Sequence, residues 1–159
     1  MTSPRHAVAA VVADGIDYEW IAVSAHEIGH LVAWRAGGFA AGPATVTKGL
    51  FGGVGRGDCP SGARGVVDEH NIDAYLVGCA AGAVTQKRCS KLYLRGRCGS
   101  WWSTGCSADR AAFRRMRRSW RRPMSWGQAE RKAAALLERH ARRLDELTIR
   151  IATTGAARY

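Results

Sequence analysis

Apolar residues recur at helical spacing in several stretches of the chain. In residues 17–36, Ile21, Ala25, Ile28 and Val32 fall on one side, Asp17 stands where an N-cap belongs, and Gly37-Gly38 stops the run, which predicts a helix. Residues 44–48 alternate like a short strand, and the glycine-rich residues 49–65 read as a loop or loose hairpin with a turn at Cys59-Pro60-Ser61-Gly62. A second helix is expected from residue 68 to about 85, with Ile72, Tyr75, Leu76, Cys79 and Ala83 on one side. Its small residues Gly78, Ala80, Ala81 and Gly82 suit close packing against another helix. Residues 100–105 read as a loop, and a third helix is expected from near Ser107 to about Trp120, ended by Pro123. Ser125-Trp126-Gly127-Gln128 has capping-box form and opens a long C-terminal helix to Ile151, with Ala133, Leu136, Leu137, Leu144, Leu147 and Ile151 on one face. No repeat or interior linker divides the pattern. The expectation is one mainly helical (α+β) domain over residues 1–159, with residues 1–16 a loosely ordered N-terminal segment.

Composition narrows this picture. Apolar residues make up 47% of 159, enough for a core and too many for a disordered chain. The apolar stretch at residues 7–13 is far shorter than the roughly 20 residues of a spanning helix. It also lacks a signal-peptide layout, so the expected localisation is cytoplasmic, with no transmembrane segment. Five cysteines, without a Cys-x-x-Cys pair, read as reduced thiols rather than a cysteine-only zinc site. The net charge of +11 is uneven. Residues 1–85 carry five Lys/Arg against eight Asp/Glu, whereas residues 86–159 carry nineteen against five. Seven arginines crowd residues 110–122, with Trp120 and Trp126 nearby. Such a segment suits nucleic acid or an anionic surface. A solvated helix face is the preferred reading, because no recognition motif accompanies the charge. The glycine-rich stretch lacks the Lys-Ser/Thr ending of a phosphate loop. Trp101-Trp102 reads as core packing in preference to a substrate-side lip.

The most informative segment is His26-Glu27-Ile28-Gly29-His30. Residues four apart lie on one helix face, so both imidazoles can reach one ion, and Glu27 stands about 100° round the helix beside it. Zinc lowers the pKa of a bound water to about 7, and a carboxylate in the Glu27 position takes its proton as general base. Two His and a Glu also fall together by chance on solvated helices. Here they interrupt an apolar run, Ile21-Ala22-Val23 before and Leu31-Val32-Ala33 after, where unpartnered polar groups are costly. A catalytic zinc needs a third protein ligand. Ala33 and Ala36 occupy the places of the Gly and the last His of the extended His-Glu-x-x-His form, which leaves Asp68, Glu69, His70, Asp73 and Asp109. Spacing does not choose among them.

Several segments in order resemble the FtsH-type ATP-dependent zinc metalloproteases. Ala25-His26-Glu27-Ile28-Gly29-His30 is similar to their Ala/Tyr-His-Glu-Ala-Gly-His, and Ser103-Thr104-Gly105-Cys106-Ser107-Ala108-Asp109 to their Thr-Gly-Ala-Ser-Asn-Asp. Leu76-Val77-Gly78-Cys79-Ala80-Ala81-Gly82, Met124-Ser125 and Ala134-Ala135-Leu136-Leu137-Glu138-Arg139-His140 match more weakly. The resemblance implies a zincin-type peptidase domain that binds Zn2+ through His26, His30 and Asp109, with Glu27 catalytic. Asp109 is expected in the first turn of its helix, a favourable place for a carboxylate. The implied partners are an unfolded or flexible polypeptide substrate, a separate unfoldase or adaptor, and further copies of the chain in a ring. The family's ATPase module and membrane anchor have no counterpart in these residues, Gly82 replaces an acid, and Ala108 replaces an Asn. The alternative is a catalytically weak or inactive peptidase-like module that binds nucleic acid or a protein through its basic half. Neither that reading nor a purely structural zinc gives Glu27 a role.

Overall fold

The computed structural model describes residues 4–50, 52–97 and 101–159, with residues 4, 5, 12 and 101–105 by backbone alone. Six helices and three short strands follow in the order α1 (Pro4–Ala13), α2 (Tyr18–Ala36), β1 (Ala44–Lys48), β2 (Val54–Asp58), α3 (Ile72–Tyr93), α4 (Trp101–Ser119), α5 (Trp126–Arg139), α6 (Ala141–Thr154) and β3 (Ala156–Ala157). The mainly helical α+β expectation is met. No helix among the described residues is long and apolar enough to cross a membrane.

α2 is the axis of the molecule. Every residue from Ile21 to Trp34 is buried, because α3, α6 and the sheet close round it. Asp17 caps it as expected, accepting a hydrogen bond from the Glu19 amide at 3.0 Å. The α2–α3 contact is close because glycines line it. A Cβ on Gly29 would come within 2.5 Å of the Ala81 carbonyl, and one on Gly78 would overlap the Trp34 indole. The antiparallel sheet, in the order β2-β1-β3, lies beside α2. β2 occupies the glycine-rich stretch, where a hairpin had been one of two readings, and its register pairs Val46 with Gly57. β3, two residues long, is too short to leave a periodicity. It forms because Gly155, in the left-handed region at φ 78°, ends α6 and returns the chain to β1.

Five expectations need correction. Residues 4–13 are helical rather than loosely ordered, since α1 buries Val8 and rests on α6. α3 starts later than residue 68, because Asp68 and Asn71 close a turn before it. The Asp68 carboxylate accepts from the amides of His70 and Asn71, and the Asn71 side chain accepts from the Asp68 amide. α3 also runs eight residues beyond Thr85, to Tyr93. Thr85 and Gln86 broke the apolar pattern, yet both are buried and bonded, to the Ala81 carbonyl and to His26. α4 begins at Trp101 rather than near Ser107, taking in residues expected as a loop, because Gly105 costs a helix only about 1 kcal/mol. Finally, the long C-terminal helix is two helices divided at His140. The turn lets α5 lie on α3 while α6 lies on α2 and α1, which one straight rod could not do. The Ser125–Gln128 capping box that opens α5 is present. Cys59, Cys79, Cys89 and Cys106 are free thiols, and Cys98 and the Trp101-Trp102 side chains lie outside the described residues.

A part-buried charge pair ties α6 to the end of α3. Asp145 accepts from Arg88 at 2.7 and 3.4 Å and from the Tyr93 hydroxyl at 2.8 Å. Removing Asp145 leaves the part-buried Arg88 guanidinium and the Tyr93 hydroxyl without their acceptor, which costs about 2 kcal/mol. Asp145→Ala is therefore expected to lower unfolding stability by about that amount in urea titration. A loss below about 1 kcal/mol would show the pair to be hydrated.

Candidate metal centre

Helical spacing puts the imidazoles of His26 and His30 on one side of α2, and packing turns that side toward α3 and α4. Their Nε2 atoms stand 3.1 Å apart. The Asp109 Oδ2 atom reaches across from α4 to 3.0 Å from His26 Nε2 and 3.3 Å from His30 Nε2. Of the acids and histidine left open by spacing, Asp109 alone joins the pair. Asp68 caps the turn before α3, Glu69 and His70 face each other in solvent, and Asp73 pairs with Arg122 at 2.9 Å. Because α4 begins at Trp101, Asp109 lies in its third turn and not its first. The helix dipole therefore gives no reason for an acid there.

The outer nitrogens of both rings are fixed by α3. His30 Nδ1 lies 2.8 Å from the Gly78 carbonyl, which can only accept, so this nitrogen donates. His26 Nδ1 lies 3.0 Å from the Gln86 side-chain oxygen and donates in the same way. In the neutral rings, both Nε2 atoms then carry bare lone pairs. With both rings neutral, two lone pairs and a carboxylate oxygen thus converge with no hydrogen between them, and Asp109 Oδ2, buried, faces no donor among the described residues. Such a set repels itself unless a positive charge joins it.

The spacing suits a metal ion. Ligand atoms about 2.0–2.1 Å from a tetrahedral ion stand about 3.3 Å from one another, close to the three separations found here. Two imidazoles and one carboxylate also form a donor set that zinc accepts with a fourth position open. Protonation is the other way to supply the charge. Burial disfavours a charged His30, but the Asp109 and Glu27 carboxylates and the Gly78 carbonyl outweigh it and raise His30 to about 9. Burial likewise disfavours the Asp109 carboxylate, and the two histidines overcome it, holding Asp109 well below the usual range.

Glu27 stands beside the three converging atoms. Burial pushes its carboxyl up, against the pull of His30 and His26. Its Oε1 leans on β2, where a Cβ on Gly57 would come within 2.5 Å of it. Glu27, His26 and His30 open into a cleft of about 330 Å³, walled by Trp34 on one side and by Arg56 and Asp58 of β2 on the other. The Trp34 ring stacks on His30 at 4.9 Å between centroids. A larger cavity of about 680 Å³, between the start of α2, β1 and the end of α6, contains none of these groups.

Sequence reading missed the residues that hold the imidazoles. Gly78, Gly82 and Gln86 recur every four residues along α3, and that stripe faces the histidines. A Cβ on Gly82 would come within 2.7 Å of His26 Nε2 and overlap His30 Nε2. Where the FtsH-type pattern has an acid, this site has no room for any side chain. The spacing of four between two glycines and a lone glutamine was the available signal. No protein-family model, curated protein or solved structure matches this chain, so the site rests on its own geometry.

Proposed function

We propose that the chain is a zinc-dependent endopeptidase domain, with His26, His30 and Asp109 holding the ion and Glu27 moving the proton. The observation that carries this reading is the convergence of three buried lone-pair atoms whose outer nitrogens are already fixed. When bound, the ion would polarise a peptide carbonyl and make water acidic enough to lose a proton near neutral pH. The residues of the chain do the rest. Glu27, buried and raised in pKa, accepts that proton on a carboxylate oxygen and delivers it to the departing amine nitrogen. His26 and His30 keep their orientation through Gln86 and Gly78. A cleft of about 330 Å³ between Trp34 and β2 supports a substrate presented as a short extended stretch, so in this reading the substrate class is unfolded or flexible polypeptide. The resemblance to FtsH-type peptidases supports the same ligands and base, and a separate unfoldase or adaptor would extend the reaction to folded proteins.

Metal analysis of the purified chain, paired with cleavage of casein, tests the reading. About one zinc per chain and chelator-sensitive cleavage are expected, whereas a chain that takes up no zinc would sink it.

The pH dependence of uptake has a definite sign. His30, raised to about 9, carries a proton below that pH which an ion must displace. Apparent zinc affinity should rise about tenfold per pH unit between pH 6.5 and 9, then level off. In the metal-free protein the same proton stabilises the fold. That contribution is complete below about 6.5 and is lost as pH rises through 9. Competition titration against a chelator, and melting with and without EDTA, read the two trends.

A further inference from the structure

The outer face of α4 has a feature that peptide hydrolysis does not use. Arg110, Arg114, Arg117, Arg118 and Arg121 are all exposed. Arg110, Arg114 and Arg117 fall within a stripe about 60° wide and about 10 Å long on an ideal helix, with Arg118 at its edge, and Arg121 follows in the turn that ends α4. Residues 74–129 contain twelve Lys/Arg and a single acid. That acid, Asp109, is turned inward to the histidines. Arg114, Arg118 and Arg121 form no ion pair among the described residues. The helix C-terminus gives a local reason for Arg117 and Arg118, but the dipole does not extend to Arg110 and Arg114.

A second observation stands at the other end of the stripe. A recess of about 270 Å³ between α3, α4 and α5 is lined by Lys87, Arg110 and Trp126. The Arg110 guanidinium lies 4.9 Å from the centre of a Trp126 ring, and the Trp126 indole N–H is buried with no hydrogen-bond partner among the described residues. The one acid there, Glu130, is offset by Lys87 at 3.6 Å. With Lys87 offset by Glu130, Arg110 supplies the positive charge of the recess at the head of the arginine run, a place suited to an oxyanion of an extended chain.

We propose that the outer face of α4 binds the phosphate backbone of nucleic acid, with a phosphate seated in the Lys87–Arg110–Trp126 recess. Arginine outnumbers lysine on this face, and its planar fork matches phosphate oxygens in pairs. The face does not suit a membrane. Phe113 and Met116 of α4 pack inward, and among the described residues the exposed large apolar side chain nearest this face is Trp120, in the turn after the helix. Binding to a membrane surface needs an outward apolar stripe as well as charge.

The test is fluorescence anisotropy of labelled single-stranded RNA and duplex DNA with the full chain, from about 50 to 200 mM salt. Wild type is expected to bind both, with affinity falling steeply as salt rises. The joint substitution Arg114→Gln, Arg117→Gln, Arg118→Gln and Arg121→Gln should reduce the slope of log affinity against log salt by about 3 to 4. At the lowest salt, binding should drop by about a hundredfold or more. The same four changed to Lys should keep most of the slope, and zinc content in both variants should match wild type. Absence of binding at low salt, or an unchanged slope in the Gln variant, overturns the proposal. Equal competition by polyglutamate, or tighter binding to phosphatidylglycerol vesicles, overturns it too, by identifying an acidic protein or a membrane. None of these outcomes depends on peptidase activity, so this proposal and the hydrolytic one fail separately.

Discussion

Glu27→Gln is expected to leave about one zinc per chain and to lower casein cleavage by about 10²–10⁴-fold. The amide keeps the size and hydrogen-bonding reach of the carboxyl but cannot accept a proton. Glu27 also lies beside the converging atoms rather than among them, so the ligand set of His26, His30 and Asp109 is untouched. The substitution removes a buried carboxyl held at raised pKa, so it should not weaken the fold and should stabilise it slightly near neutral pH. Retained zinc with lost cleavage separates a base from a ligand. Cleavage at the wild-type rate would remove Glu27 from the mechanism and favour a binding role for the domain. Lost zinc would instead make Glu27 part of the coordination, against the geometry.

Gly82→Ala is expected to abolish zinc uptake while the helices remain. A methyl group at this position has nowhere to go. It would lie within 2.7 Å of His26 Nε2 and overlap His30 Nε2, so at least one imidazole must swing off its bond to Gln86 or Gly78. Partners of this kind are worth about 10–100-fold in metal affinity, and displacing the ligand itself costs more. Alanine is also about 1 kcal/mol better than glycine inside a helix, so α3 gains local preference and the damage stays at the site. Circular dichroism should show wild-type helix content, and metal analysis should show under about a tenth of an ion per chain. Full zinc occupancy in this variant would mean that α2 and α3 pack less closely than found here.

The zinc-site reading and the stability of the domain draw on the same contact. Glycines at 29, 78 and 82 bring α2 and α3 close enough for α3 to supply the Gly78 carbonyl and the Gln86 amide to the rings. The same closeness makes α2 buried all round, which is unusual for a helix carrying two histidines and a glutamate. Burial of the two imidazoles is tolerable because Gln86 and Gly78 accept from their Nδ1 atoms and because a cation would complete the set.

Local chemistry determined what depends on neighbours along the chain. The spacing of four between His26 and His30, the Asp17 cap, the Ser125–Gln128 box and the strand at Ala44–Lys48 are all properties of short segments, and each was legible in the sequence. Features set by packing were not. Thr85 and Gln86 looked like the end of a helix because their partners lie on other turns or on α2. His140 broke a pattern that was continuous in periodicity, because only the tertiary arrangement asks α5 and α6 to cover different helices. The third ligand shows the division most clearly. Five residues could have joined the histidines, and a family resemblance singled out Asp109, while the helix expected from near Ser107 put that residue in a first turn it does not occupy. Helix periodicity fixes angles within one element. The approach of α4 to α2, which brings an oxygen to 3.0 Å from a nitrogen far away in sequence, depends on how side chains of several helices fill one core.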